Sequence, residues 1–167
     1  MSTLEFFPKR TFSMRYYTLT RDGVEIGQID CGGARQPAAL TVGGAGYNPV
    51  SEGVLRTKFH LDAGGMRIAD VELGGTFFRR FIVHAGVKTC TLKVASWFGR
   101  SFVLMENDVE VGRIARTGFF TARCRAELPD DLPLPLQAFL IWLVLITWRR
   151  QAVVAGIVAG SAAASSQ

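Results

Sequence analysis

One long apolar segment near the carboxyl end of the chain limits the folds open to it. The segment reads LPLPLQAFLIWLVLITW over residues 132–148, with Gln137 and Thr147 as its polar members. Arg149 and Arg150 follow it directly. No amphipathic stripe can be drawn on a helix of this composition. A helix that is apolar on every side must be buried on every side, in protein or in lipid.

The chain before this helix alternates between short strand patterns and turn residues. Runs rich in aromatic and β-branched residues are separated by turns that carry Gly, Asn or Asp at hairpin spacing. About ten strands are predicted, at residues 11–20, 24–29, 37–42, 54–61, 66–73, 76–84, 87–95, 101–105, 109–115 and 119–127. We expect a turn at Phe98-Gly99. The stretch 43–53, with four glycines and Pro49, is predicted to be a loop.

One hairpin unit occurs three times in the chain. The pattern Leu-x4-Val-x-Ile-Gly-x-Ile, with conservative replacements, occupies residues 19–29, 61–71 and 104–114. The copies are shifted by 42 and then 43 residues, and such a steady period favours a sheet built by repetition. Within each copy the apolar residues change face at a small residue, Gly27, Ala69 or Gly112. A small residue there predicts a bulge, a barrel corner or a close approach, or it merely relieves crowding.

These hairpins, followed by one wholly apolar helix, resemble the tubby C-terminal-like superfamily, which includes phospholipid scramblases and LURP-one-related proteins. The resemblance rests on residues 18–29, 60–71 and 103–114 and on the helix at about 133–148. It implies a barrel of roughly twelve strands closed around the helix. The strands needed beyond the ten would lie in residues 3–7 and 43–47.

The predicted architecture is therefore mainly β, a closed antiparallel β-barrel of about 10–12 strands wrapped around one hydrophobic C-terminal α-helix. A single domain covers residues 1–150, with the central helix at about 133–150. Residues 151–167 are predicted to extend the helix or to form an Ala/Gly/Ser-rich tail. The core positions expected on the helix are Phe139, Ile141, Trp142, Leu145 and Trp148.

The alternative interpretation makes residues 132–148 a single transmembrane helix. Seventeen residues at about 1.5 Å each span roughly 26 Å, just short of a hydrocarbon core of about 30 Å. Arg149 and Arg150 would then mark its cytoplasmic end. The N-terminal sequence MSTLEFFPKR has no apolar stretch of signal-peptide length, which argues against that orientation. We favour the buried helix.

Charge and cysteine content narrow the partners and the compartment. The net charge of +5 and the pI of about 9.5 favour anionic partners such as acidic phospholipids. No run of five basic residues exists, so nucleic-acid binding is not expected. Cys31, Cys90 and Cys124 are odd in number and widely spaced, which predicts unpaired thiols in a reducing compartment. We expect a cytoplasmic monomer, peripheral at the inner membrane face if it binds lipid.

The resemblance implies two lipid-related activities. Tubby-type members bind phosphoinositides through a basic pocket, and scramblase-type members are linked to lipid movement and calcium. Neither site maps residue by residue onto this chain. The acidic group Glu106-Asn107-Asp108 occupies a predicted hairpin turn, where such residues are expected, and it is not taken as a calcium site. We therefore predict no metal and no cofactor.

The predicted function is non-enzymatic binding of anionic lipid headgroups at a membrane surface. The arginines expected to bind the headgroups are Arg113, Arg116, Arg123, Arg125, Arg149 and Arg150. A cytosolic protein-interaction or structural domain is the alternative, in which these arginines form only the polar outer face of a barrel. No catalytic pattern favours an enzyme, since His60 and His84 lack a third ligand or a nucleophile at informative spacing.

Overall fold

The chain forms a closed barrel of strands that is followed by one long helix. The computed structural model describes residues 1–10, 13–33, 36–53, 57–74, 80–95, 101–117 and 123–164. Within these residues the elements are β1 (Ser2–Arg10), β2 (Ser13–Arg21), β3 (Val24–Asp30), β4 (Ala39–Val42), β5 (Ala45–Glu52), β6 (Lys58–Ala63), β7 (Met66–Gly74), β8 (Arg80–Ala85), β9 (Lys88–Val94), β10 (Ser101–Glu106), β11 (Val109–Arg116), β12 (Cys124–Leu128) and α1 (Leu134–Ala164).

Every strand pairs antiparallel with its neighbours in sequence, and β1 pairs with β12 to close the barrel. The closing register places Ser2 opposite Leu128 and Phe6 opposite Cys124. A barrel of this kind leaves no unpaired strand edge. The predicted fold class, a closed antiparallel barrel around a C-terminal helix, is confirmed.

Two-residue turns connect several of the hairpins. Asp22 and Gly23 have φ values of 52° and 78°, and Asn107 and Asp108 have φ values of 49° and 63°. Positive φ at both central residues is the signature of the type I′ turn, whose twist matches that of the strands it joins. The turn at Asn107 and Asp108 holds two side chains in a left-handed conformation that disfavours most L-residues.

Replacing Asp108 with glycine should therefore stabilise the fold. Glycine relieves the left-handed strain but adds chain entropy to the unfolded state, so we expect a gain of about 0.5 kcal/mol in the free energy of unfolding. Urea denaturation monitored by circular dichroism measures this gain in the free energy of unfolding. Asp108→Val, which puts a β-branched side chain at the same φ, should lower the midpoint. A lower midpoint for Asp108→Gly would contradict this account of the turn.

The repeated hairpin carries the same irregularity in all three copies. The β2–β3 register shifts after Leu19, the β6–β7 register after Leu61 and the β10–β11 register after Leu104. In each case one residue of the second strand is skipped immediately before the small residue, which is the geometry of a bulge. The predicted bulge at the change of face is confirmed.

The helix lies inside the barrel. Every residue from Leu136 to Ile146 is buried, a span of three turns with no exposed side. The Trp142 ring packs 6.0 Å from the Phe59 ring of β6, measured between centroids. The helix therefore packs against side chains of the surrounding strands, and the buried-helix interpretation is confirmed.

The five core positions expected on the helix are all buried, at 4% exposure or less. The two polar residues of the segment satisfy their donors within the same part of the chain. Gln137 Nε2 donates to the Leu132 carbonyl at 2.7 Å, and Thr147 Oγ1 donates to the Leu143 carbonyl at 2.8 Å. These bonds lower the cost of placing the two donors in an apolar core, whereas the buried Gln137 Oε1 has no partner among the described residues.

The predicted loop at residues 43–53 is wrong. Gly43 and Gly44 form a turn with φ values of 58° and 80°, and the rest of the stretch is strand β5. Pro49 fits the strand because β4 ends its pairing at Tyr47, so Pro49 is paired only with Leu61 of β6. A proline lacks the N–H of a full ladder and is tolerated where one side is unpaired.

The expected extra strands are present as β1 and β5, and they raise the number of strands from ten to twelve. Several predicted features lie outside the described residues: the turn at Phe98-Gly99, and the parts of predicted strands at residues 11–12, 54–56, 76–79 and 119–122.

In the part of the chain that the structure describes, no helix has an apolar stretch long enough to cross a membrane.

Candidate functional site

The carboxyl-terminal half of α1 leaves the barrel through one ring of strand ends. The Arg116 guanidinium at the end of β11 lies 4.5 Å from the centroid of the Trp148 ring. Arg149 Nη1 donates to the carbonyl oxygens of Cys31 and Gly32, just after β3, at 3.3 and 3.2 Å. Because neighbouring strands are antiparallel, the ends of odd-numbered strands and the starts of even-numbered strands share this ring. We call it the helix-exit end.

The helix begins at the opposite end of the barrel, the helix-entry end. There the Met1 amino group and the Ser2 hydroxyl contact the Asp130 carboxylate, and the Lys88 ammonium contacts the Asp131 carboxylate. These contacts hold the segment before α1 against β1 and β9.

A hydrogen-bonded loop after β3 presents the two carbonyls to Arg149. Arg15 of β2 pairs with Asp30 through two hydrogen bonds, Nε to Oδ1 at 2.8 Å and Nη2 to Oδ2 at 2.9 Å. Asp30 Oδ1 also accepts from the Gly32 N–H at 2.8 Å. Burial acts to raise the pKa of Asp30, but the bonds from Arg15 and Gly32 outweigh it, so the pKa lies below its ordinary value. The carboxylate therefore stays charged at neutral pH and holds the loop.

Gly32 is required by the shape of this loop. Its φ is +69°, and a Cβ added there would lie 2.9 Å from the Ala38 nitrogen and 2.9 Å from the Gln36 carbonyl oxygen. Both neighbours are backbone atoms that cannot move aside cheaply. The loop can therefore keep its course only with glycine at this position.

A cavity of about 430 Å³ lies between this loop, β5 and the exit half of α1. A volume of this size falls within the range of about 300–1,000 Å³ that is usual for small-molecule sites. Its apolar lining comes from Pro37, Ala38, Pro49, Val50, Trp142, Ile146 and Val153. Its polar side chains are Gln36, Ser51, Arg149 and Arg150.

Trp142 lies in the wall of the cavity and carries a buried hydrogen-bond donor without a partner in the described part of the chain. The indole stacks on Phe139 with centroids 5.7 Å apart and meets the Phe59 ring edge-on, so its orientation is fixed from two sides. Its Nε1 is buried and has no acceptor among the described residues. An unmet buried donor of this kind costs about 1–3 kcal/mol.

The cavity also borders the Cys31 thiol. Burial raises the pKa of Cys31 to about 12, although the charge of Arg149 acts in the opposite direction. The thiolate is the nucleophilic form of cysteine, so Cys31 is not a nucleophile at neutral pH. All three cysteines are buried free thiols.

The structure divides the six predicted arginines into two groups. Arg116, Arg149 and Arg150 all lie at the helix-exit end, but on different neighbours. Arg116 lies over the Trp148 ring, Arg149 bonds the loop after β3, and Arg150 lies 5.6 Å from the centroid of the Phe59 ring. Arg123 joins the same end, because its carbonyl accepts from the N–H of Thr117, which follows β11.

Arg113 and Arg125 lie apart from that group, on the outer wall of β11 and β12. Arg113 Nη2 lies 2.9 Å from Glu110 Oε1, and Arg125 Nη2 lies 3.1 Å from Glu127 Oε1. Their charges are therefore partly neutralised by carboxylates on their own strands.

Charge is separated along the barrel axis. The helix-exit end carries most of the basic side chains that the structure describes: Lys9, Arg15, Lys58, Arg80, Lys93, Arg116, Arg123, Arg149 and Arg150. The described acidic residues at that end are Asp30, Glu52 and Glu72. The helix-entry end carries the opposite excess, formed by Asp22, Glu25, Asp62, Glu106, Asp108, Asp130 and Asp131 against Arg21, Arg67 and Lys88.

Each of the two histidines lies beside polar side chains of its own or an adjacent strand. His60 is buried between two carboxylates, with Nδ1 3.1 Å from Glu52 Oε1 and Nε2 3.3 Å from Asp62 Oδ2, but Nδ1 lacks the alignment of a hydrogen bond. His84 Nδ1 lies 3.1 Å from Thr89 Oγ1 on the next strand. Among the described residues, no three metal-ligating side chains are arranged so that they could hold one metal ion.

Sequence reasoning missed the β3–β5 wall of the cavity and the charge separation. The first has no local signal, because Arg15 and Asp30 meet only through the strand register. The second has one. In a barrel of consecutive antiparallel strands, alternate connections lie at the same end, and here acidic turns such as Asp22-Gly23 alternate with connections that carry basic residues.

The chain matches no protein-family model, no curated protein and no solved structure.

Proposed function

We propose that this protein binds anionic phospholipid surfaces through the helix-exit end of its barrel and catalyses no reaction. The single observation that carries the proposal is the separation of charge between the two ends of the barrel. A protein with a basic and an acidic end is turned by the field of an acidic leaflet so that the basic end faces the lipid.

The chemistry of the helix-exit end supports lipid phosphate as the target. Guanidinium groups present paired N–H donors that match phosphate oxygens, and Arg116, Arg123 and Arg150 are exposed at this end. The resemblance to the tubby C-terminal-like superfamily favours lipid headgroups over other polyanions. Anionic phospholipids concentrate in the cytoplasmic leaflet, so the proposal places the protein at the inner face of the membrane.

Loss of two arginines from the helix-exit end should weaken vesicle binding strongly. Each basic residue near an acidic surface contributes about 1 kcal/mol, so Arg116→Gln with Arg123→Gln should lower partitioning onto phosphatidylserine vesicles roughly 30-fold. Vesicle co-sedimentation measures it. Raising ionic strength from about 0.1 M to about 1 M shortens the screening length from about 10 Å to about 3 Å and should release the wild-type protein.

The matched control removes the same charge from the outer wall of β11 and β12. Arg113→Gln with Arg125→Gln should change partitioning less than about threefold, because these arginines lie on the outer wall beside Glu110 and Glu127. Equal losses in the two double variants would show that net charge alone matters and would refute a binding end. Absence of wild-type binding at low salt would remove the proposal altogether.

A further inference from the structure

One face of α1 forms the inner wall of the cavity at the helix-exit end. Trp142, Ile146, Arg149, Arg150 and Val153 all line the cavity, and their spacing of three or four residues places them on one side of a helix. The apolar pair lies deeper in the barrel and the arginines lie toward the mouth. From Trp142 to Arg149 the helix rises about 10 Å.

The wall of the cavity that faces the helix includes apolar residues. These are Pro49 and Val50 of β5 and Ala38 just before β4. Ordered water is a poor occupant of such a slot, because it needs several polar partners. An alkyl chain fits it.

The mouth of the cavity favours an anionic group. Arg149 uses Nη1 on the Cys31 and Gly32 carbonyls, which are neutral, and no carboxylate lies within 4 Å of it among the described residues. An oxygen-rich head on an apolar chain would meet both the cationic and the apolar surface.

We infer that the cavity binds one single-chain anionic amphiphile, with its phosphate or carboxylate head at Arg149 and Arg150 and its alkyl chain between α1 and β5. The inference deepens the proposed function, on which it rests for the choice of a lipid-like ligand. It differs from the proposed function in requiring an enclosed site for one molecule in addition to a charged surface.

The test uses octyl phosphate below its micellar concentration, with the full-length protein. We expect saturable binding of one molecule per chain by calorimetry, accompanied by a change in tryptophan fluorescence at Trp142. Inorganic phosphate and octyl glucoside, which keep only the head charge or only the chain, should each bind at least tenfold more weakly. Equal binding of either compound would overturn the inference.

Filling the cavity should remove the site. Ile146→Phe adds volume to the cavity wall and should weaken octyl phosphate binding at least tenfold, whereas Ile82→Phe, on β8 away from the cavity, should change it less than twofold. Ala38→Phe fills the cavity from the facing wall if Ile146→Phe fails to fold. Wild-type affinity in both cavity variants would overturn the inference.

The two proposals fail separately. Arg116→Gln with Arg123→Gln should lose vesicle binding and keep octyl phosphate binding, since neither residue lines the cavity. Ile146→Phe should keep vesicle binding and lose octyl phosphate binding. Octyl phosphate binding by a wild-type protein that ignores vesicles would support the cavity and refute the membrane proposal, whereas vesicle binding without octyl phosphate binding would refute the cavity alone.

Discussion

Val144→Asp should prevent the barrel from folding. Val144 is 0% exposed within the buried run of α1, residues 136–146, so an aspartate there has no solvent and no cationic partner nearby in the sequence. Burying an isolated carboxylate costs several kcal/mol even after relaxation, and loss of the valine adds about 1.5–3 kcal/mol. The free energy of unfolding of a domain is only about 5–15 kcal/mol. We expect little soluble protein, and no cooperative urea transition in what is recovered.

The same substitution on the same helix provides the control. Val153 is 63% exposed, so Val153→Asp should change the free energy of unfolding by no more than about 0.5 kcal/mol. A folded Val144→Asp protein with a normal urea midpoint would show that the helix centre reaches solvent or lipid. It would overturn the internal position of α1.

The internal helix could be predicted because its composition leaves few alternatives. A segment that is apolar on all sides needs either lipid or a surrounding sheet, and the preceding hairpins supply enough strands to enclose it. Sequence alone left both choices open. The decisive observation is tertiary: Phe59 and Phe102, from strands on different sides of the barrel, both pack on tryptophans of α1.

The predicted loop at residues 43–53 was wrong because glycine occurs there both in a turn and within a strand. The glycines of residues 43–46 indicated a loop, but Gly43 and Gly44 make the turn, and Gly46 lies in a strand that its neighbours hold. The composition of β5 is poor for a strand, so pairing with β4 and β6 decides its conformation. Pattern reasoning does not include that contribution, because it comes from residues distant in the sequence.

The candidate site was predicted only in part, for a related reason. Arg149 and Arg150 follow the apolar helix directly, so their place at one end of the barrel follows from the helix itself. Arg113 and Arg116 are three residues apart on one strand, so they lie on opposite faces: Arg116 lies over Trp148 and Arg113 lies outside beside Glu110. The sequence does not say which face is inward, because the bulge at Val111 shifts the register before both residues.

Gly27→Val should lower the free energy of unfolding by more than about 3 kcal/mol, because overpacking against a fixed backbone is costly. A Cβ at Gly27 would lie 2.3 Å from the Thr41 carbonyl oxygen and 3.2 Å from the Val42 Cα of the neighbouring strand β4. The obstruction is backbone, so no side-chain rotation relieves it. Gly112, the equivalent residue of the third copy, meets the Glu127 carbonyl oxygen at 2.8 Å, so Gly112→Val should be harmful to a lesser degree.

The second copy shows why the position need not be glycine in every hairpin. Ala69 occupies it, and the register that pairs Asp70 with His84 places Ala69 beside the small residue Ala85. Gly27 faces Val42 in the corresponding place. The size of the residue allowed at the repeated position therefore depends on three things: the bulge that precedes it, the distance to the adjacent strand, and the size of the residue it faces there.

Gly46→Val is the matched control for this prediction. Gly46 lies in strand β5, and an added Cβ there would meet nothing within 4 Å. Valine suits a strand and restricts the unfolded chain, so this variant should be neutral or more stable by up to about 1 kcal/mol. Urea midpoints should fall in the order Gly46→Val, Gly112→Val, Gly27→Val, from highest to lowest. Equal midpoints for all three variants would contradict this explanation. They would mean that the repeated glycines mark flexible turns and are not required by close packing of adjacent strands.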